Sequence, residues 1–165
     1  MAQSFKVDPK RDLVLERIVD IPPELIFKAW TTPDILMKWF CPRPWKTIDC
    51  VMDLRPGGRF STTMQSPEGQ NFPNEGCLLE IVPNRKLVWT SALTEGYRPI
   101  GAAISGADLL FTGMIILEPH GAHGTKYTAI GIHKDEADCR RHAEMGFQEG
   151  WGIVLDQLVA EMKGK

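Results

Sequence analysis

The chain has 165 residues, 43% of them hydrophobic and 24% charged, with a formal net charge of −2. That is long enough for one domain with a buried core, and the near-neutral balance excludes nucleic acid as the main partner, because phosphate binding needs a basic face. No apolar run reaches the length of a bilayer span, and "MAQSFKVDPKRD" lacks the apolar centre of a secretory signal, so the expected location is the cytoplasm.

In chain order, "DLVLERIVD" alternates as a strand, with a period of two that leaves open which face is buried. Pro22 and Pro23 end it. "PELIFKAWT" predicts a helix with proline in its first turn and Leu25, Ile26, Ala29 and Trp30 at helical spacing. "PDILMKWF" predicts a second short helix, with Thr32 as its cap, and "CPRP" stops it. From Lys46 the pattern is β. "TIDCVMDL" and "GRFSTTM" alternate on either side of Pro56-Gly57-Gly58, where proline presets one turn position and glycine accepts positive φ.

"SPEGQNFPNEG" reads as a further turn region, "CLLEIV" and "KLVWTSAL" as a hairpin across "PNRK". Two more strands are expected at about 108–118 and 125–133, joined by "PHGAHG". Between them and Thr94, the span "TEGYRPIGAAISG" (94–106) reads either as a lid loop or as a strand extension. The last 29 residues or so, "DEADCRRHAEMGFQEGWGIVLDQLVAEMK", predict one long helix, acidic at its start and basic at its end. Phe147, Trp151, Val154, Leu155, Leu158 and Met162 share one face. Gly146, Gly150 and Gly152 each cost about 1 kcal/mol relative to alanine, which points to a close approach or a bend.

Cys41, Cys50, Cys77 and Cys139 are widely spaced and read as buried free thiols. His120 and His123 share a turn without a third ligand at a metal-binding spacing, so no metal and no cofactor are expected. Neither a nucleophile elbow nor a phosphate loop occurs.

Three stretches carry a resemblance. "IPPELIFKAWTTPDILMKWFCP" resembles the "Pro-x-x-x-Val-Phe-x-Ala-Trp-Thr-x-Pro-x-x-Leu-x-x-Trp-Trp-x-Pro" opening of proteins similar to the activator of the heat-shock-protein-90 ATPase. "DLRPGGRF" resembles that family's "Leu-x-Pro-Gly-Gly-x-Phe" hairpin, and "RHAEMGFQEGWGIVLDQLVAEM" its closing helix. The chain departs from the pattern at Cys41, where glycine is frequent, and at Phe147, where tryptophan is usual. The family belongs to the START-like superfamily. The resemblance implies an α+β helix-grip fold: a curved antiparallel sheet of six or seven strands around the C-terminal helix, with two short helices after the first strand. It covers about residues 12–163 as a single domain, with a cavity between sheet and helix.

Within that fold the cavity candidates are Trp39, Phe40, Phe60, Trp89, Tyr97, Arg140, Glu144, Phe147, Trp151 and Leu155, with Trp30 assigned to the core. Arg140 and Glu144 fall on the Phe147–Trp151 face of a continuous helix. They read as an exposed ion pair or as anchors for a ligand's carboxylate and hydroxyl. Tyr97, Arg98 and His133 form an acid–base group, against which stands a reading of His133 as a strand end facing water.

The first functional reading is a small-molecule-binding protein holding an apolar or aromatic ligand in a closed pocket of several hundred Å3. A cyclase- or hydrolase-like enzyme is the second, and a module stimulating a chaperone ATPase is the third. An exposed edge strand would support a homodimer.

Overall fold

A computed structural model describes residues 5–100 and 109–163 of the chain. Its elements are β1 (Asp12–Val19), α1 (Pro23–Thr31), α2 (Pro33–Leu36), β2 (Lys46–Met52), β3 (Phe60–Gln65), β4 (Asn71–Asn74), β5 (Cys77–Val82), β6 (Lys86–Thr90), β7 (Leu93–Thr94), β8 (Arg98–Pro99), β9 (Thr112–His120), β10 (Gly124–Ile132), α3 (Glu136–Glu144) and α4 (Phe147–Lys163). Every strand pairing is antiparallel. Five strands run in the order β1-β10-β9-β6-β5, and three in the order β2-β3-β4. A bridge between Arg59 and Cys77 and a 3.0 Å bond from the Phe60 N–H to the Gly76 carbonyl join the two groups into one curved surface.

Side-chain alternation decides which face is buried. Leu15, Tyr127, Ala129, Ile115, Leu117, Leu87 and Trp89 turn inward onto α1, α2 and α4, where Ile26, Trp30, Leu36, Trp39, Leu155, Leu158 and Met162 complete the core. Fully burying each of these large side chains stabilises the fold by about 1.5–3 kcal/mol. The opposite parity puts Val14, Ile130, Met114 and Val88 in a row across the outer face, with Phe5 against them.

Several expectations are corrected. The single long helix is two helices: α3 is capped by the Asp135 carboxylate on the Asp138 N–H, and the chain breaks at Met145–Gly146, where Gly146 has φ +93°. The turn region "SPEGQNFPNEG" contains β4, which pairs with Thr62–Gln65 at the edge of the sheet; Pro73 is tolerated there because an edge strand has one side without partners. Thr32 precedes α2 in an extended conformation with no side-chain cap, its carbonyl rather than its hydroxyl accepting from Ile35 and Leu36. α2 itself is a single turn. Within 94–106, a short β7–β8 hairpin, a two-stranded sheet of its own, closes around Gly96 (φ +78°) and Tyr97 (φ +62°) and ends at Pro99; positions 101–106 and the expected strand start at 108 lie outside the described residues.

All four cysteines are free; Cys41, Cys77 and Cys139 are buried and Cys50 is half-buried. Among the described residues no helix is long and apolar enough to cross a membrane.

Candidate functional site

The inner end of the sheet, beneath the start of α4, is lined by aromatic rings. Trp30 of α1 meets Trp39 at 5.0 Å and Trp89 of β6 at 5.2 Å between ring centroids. Phe40 bridges from Trp30 (5.7 Å) to Phe60 of β3 (6.1 Å). Trp89 stacks on Trp151 of α4 at 6.3 Å, and Trp151 in turn contacts Phe147 (4.5 Å) and Phe111 (6.0 Å). Edge and offset contacts of this kind add about 0.5–1.5 kcal/mol per pair beyond area burial.

Two glycines make the floor. Gly113 and Gly131 face one another across β9 and β10. A Cβ on Gly113 would sit 2.4 Å from the Trp89 ring, and one on Gly131 would sit 3.2 Å from Phe147. Their absent side chains let both rings lie on the sheet backbone. Among the described residues these rings pack on one another and on the sheet as a half-covered wall. A hollow of about 590 Å3 lies at the opposite end of the sheet, open to the surface between the end of β1, the β9–β10 turn and the last turns of α4.

A pair of buried histidines enters the aromatic end. His133, just past β10, is buried, and its Nδ1 lies 2.8 Å from the Arg11 carbonyl oxygen. Its Nε2 lies 2.9 Å from Nδ1 of His142 on α3, a residue only 7% exposed. Phe111 packs on both imidazoles, at 6.1 Å and 4.7 Å, and Phe147 on His142 at 5.2 Å. Burial, with a smaller contribution from the neighbouring His133, lowers the His142 pKa to about 4. Deeper in, burial pushes the Tyr127 phenol above its ordinary value, slightly offset by the adjacent Trp30 indole. Trp30 Nε1 is buried and makes no hydrogen bond with a described residue.

α4 is held unevenly above this surface. On its β1 side, Gln148 Nε2 donates to the Val14 carbonyl (2.7 Å), Gly152 lies beside Arg17, and Lys163 pairs with Asp20 (2.8 Å). On its other side, Gln157 Nε2 donates to the carbonyls of Trp39 (3.0 Å) and Cys41 (2.9 Å), while its Oε1 accepts from the Arg43 N–H (3.1 Å). Two turns earlier on that same flank, a Cβ on Gly150 would meet nothing within 4 Å. Phe40, Phe111 and Trp151 are only half-buried.

Seven of the sequence candidates come together here or in the core directly behind: Trp39, Phe40, Phe60, Trp89, Phe147, Trp151 and Leu155. Three lie elsewhere. Arg140 and Glu144 are exposed on α3, since the break at Gly146 takes them off the α4 face, and Arg140 pairs with Glu136 (3.2 Å) rather than with Glu144. Tyr97 is half-exposed over the hairpin turn at Gly57, away from the rings. Arg98 is exposed as well, so the expected Tyr97–Arg98–His133 group does not assemble, and His133 is buried rather than facing water.

Sequence reasoning missed His142 and Phe111. The available signal for His142 was its place three residues after Cys139, the two turning inward from an otherwise charged helix.

The family model for Activator of Hsp90 ATPase homolog 1-like protein matches residues 20–163. A solved protein from Nitrosomonas europaea is 43% identical, with a TM-score of 0.89, over 96% of this chain and 97% of its own. One from Arthrobacter aurescens shares the fold at 20% identity and a TM-score of 0.78, over 98% and 92%. An AHSA1-like protein from Aeromonas hydrophila does so at 17% and 0.66, over 93% and 92%. No curated protein matches significantly. The chain, with its helix-grip fold of the START-like type, belongs to the family of Activator of Hsp90 ATPase homolog 1-like proteins.

Proposed function

We propose that this protein binds an apolar or aromatic small molecule between the sheet and the first turns of α4. The observation that carries this reading is a continuous aromatic wall left partly uncovered: Phe40, Phe111 and Trp151 are half-buried, and the helix flank at Gly150 opens onto free space. Small-molecule sites are mostly apolar walls with few polar groups, and here the histidine pair is the polar element at the wall. Entry on the Gly150 side leaves the bonds of α4 to β1 intact.

The test is a thermal-shift screen of a metabolite library, on protein first checked for co-purifying molecules by denaturing mass spectrometry. A ligand at a hundred times its Kd stabilises by about 2.7 kcal/mol, or roughly 5–10 °C for a chain of this size. Gly150→Phe fills the open flank and is expected to abolish the shift while the fold stays intact. A broad library without a hit, on protein carrying nothing, overturns the reading.

A cyclase- or hydrolase-like enzyme is the second reading. It is favoured by one observation, two titratable rings converging in a buried aromatic setting with the pKa of one displaced. Turnover of an identified ligand that is lost in His142→Phe is the result expected from it.

A further inference from the structure

The two buried imidazoles admit one neutral arrangement. The Arg11 carbonyl oxygen only accepts, so His133 Nδ1, 2.8 Å away, carries the proton. The His133 backbone N–H donates to the same oxygen at 3.1 Å, which holds the ring in place. Neutral His133 then has its lone pair on Nε2. The 2.9 Å contact therefore requires His142 Nδ1 to be the donor. It follows that the lone pair of His142 is on Nε2. A proton added to His142 would place a cation among Phe111, Phe147 and Trp151, and burial opposes this, as its lowered pKa indicates.

No described residue hydrogen-bonds to His142 Nε2, although its ring touches three of the rings at the start of α4. We propose that His142 Nε2 is the polar anchor of the ligand site, a fixed acceptor oriented through His133 by the Arg11 carbonyl, and that it selects aromatic molecules carrying a hydroxyl or N–H donor. The proposal rests on the binding reading above and adds a ligand class to it. Phenols and indole- or pyrrole-type N–H groups fit. Aromatic carboxylates do not, because they set acceptor against acceptor and bring a charge into an apolar setting. His133 is a positioning residue: it acts only through His142.

The experiment has two arms on the intact chain. Long-range 1H–15N correlation of the histidine rings at neutral pH reads the tautomers directly. The expected result is a protonated Nδ1 and an unprotonated Nε2 on both His133 and His142; a protonated Nε2 on His142 overturns the proposal whatever binds. The second arm titrates 1-naphthol, 1-methoxynaphthalene and 1-naphthoate, following tryptophan fluorescence.

The phenol is expected to bind about tenfold tighter than its methyl ether, the size of one neutral hydrogen bond, and the naphthoate more weakly than either. His142→Phe, which keeps the ring contacts, is expected to bring the phenol-to-ether ratio to about one. Equal binding of phenol and ether to the wild-type protein overturns the acceptor role while the binding reading survives. If none of the three binds and the metabolite screen is also empty, both fall together.

Discussion

Lowering the pH from 7 to 5 should weaken the fold through His142. Folded, its pKa is about 4 against an ordinary value of 6.5, chiefly because burial disfavours the cation. Between those two values the unfolded chain holds a proton that the folded chain refuses. The contribution of neutral His142 is therefore complete above about pH 6.5, declines as the pH falls, and is gone below about 4. Each pH unit inside the window is worth about 1.4 kcal/mol, which gives a ceiling of roughly 3 kcal/mol overall and about 2 kcal/mol between pH 6.5 and 5.

The neighbouring charges leave that interval readable. Asp135 caps α3 and is held below its ordinary pKa mainly by the Asp138 N–H; Asp8 is lowered by the Lys10 N–H and Arg11. Carboxylates of this kind lose their contribution mostly below about pH 5. The buried Asp12 carboxylate accepts from the Asp8 N–H on the β1 side, and Lys134 pairs with Asp138 on the α3 side. With a urea m-value of about 2 kcal/mol/M, the unfolding midpoint should fall by about 1 M from pH 7 to 5. His142→Phe should be less stable at pH 7 by about 1–3 kcal/mol, since it leaves His133 Nε2 without its donor, and its midpoint should change far less with pH. A wild-type midpoint that is flat from pH 7 to 5, or an equal slope in the variant, would refute the argument.

Two pairs of glycine substitutions separate backbone conformation from space. A Cβ at either Gly146 or Gly150 meets nothing within 4 Å, yet Gly146 has φ +93° and Gly150 lies inside α4. Gly146→Ala should destabilise by about 1–2 kcal/mol, and Gly150→Ala should stabilise by up to about 1 kcal/mol, both read by urea unfolding. Gly113→Ala puts a Cβ 2.4 Å from a Trp89 ring wedged among Trp30, Phe60 and Trp151, and should cost about 1–3 kcal/mol. Gly124→Ala meets only backbone oxygens at 2.8 Å, so its cost should arise without the change in tryptophan fluorescence expected of Gly113→Ala.

Much of the fold was legible because local signals agreed with one another. The boundaries of α1 match those expected from "PELIFKAWT", and Pro56-Gly57-Gly58 does reverse the chain, with Gly57 at φ +82°. The break between α3 and α4 was hidden because the charge polarity runs through it: acidic residues at the start, such as Glu136, and a lysine at Lys163 suit one dipole as well as two. Only Gly146 marks it, and a lone glycine is equally compatible with a bend. β4 was hidden by Pro73, a residue that argues against a strand unless the strand is known to lie at an edge.

The ring cluster was legible residue by residue, whereas its geometry was not. Whether Trp89 and Trp151 stack depends on Gly113 facing Gly131, and that register is a property of two paired strands. The role of His142 was hidden for a related reason, because its partner comes from just past β10 and its tautomer from the carbonyl of Arg11, more than a hundred residues away.

The bonds of α4 bear on where a ligand enters. Along β1 the helix is tied near its start by Gln148 and at its end by Lys163. On the opposite flank the Gln157 side chain makes three hydrogen bonds to the segment after α2, and the two turns before it are open at Gly150. A displacement that widens the Gly150 side thus pivots about β1. It strains the Gln157 contacts first and leaves the Leu158–Met162 core in place, where both residues are fully buried. Local openings follow the least-bonded boundary, and among the described residues that boundary runs along Trp151 toward Phe111 and His142. The uncovered rings and the fixed acceptor are therefore reached through the same side of the helix.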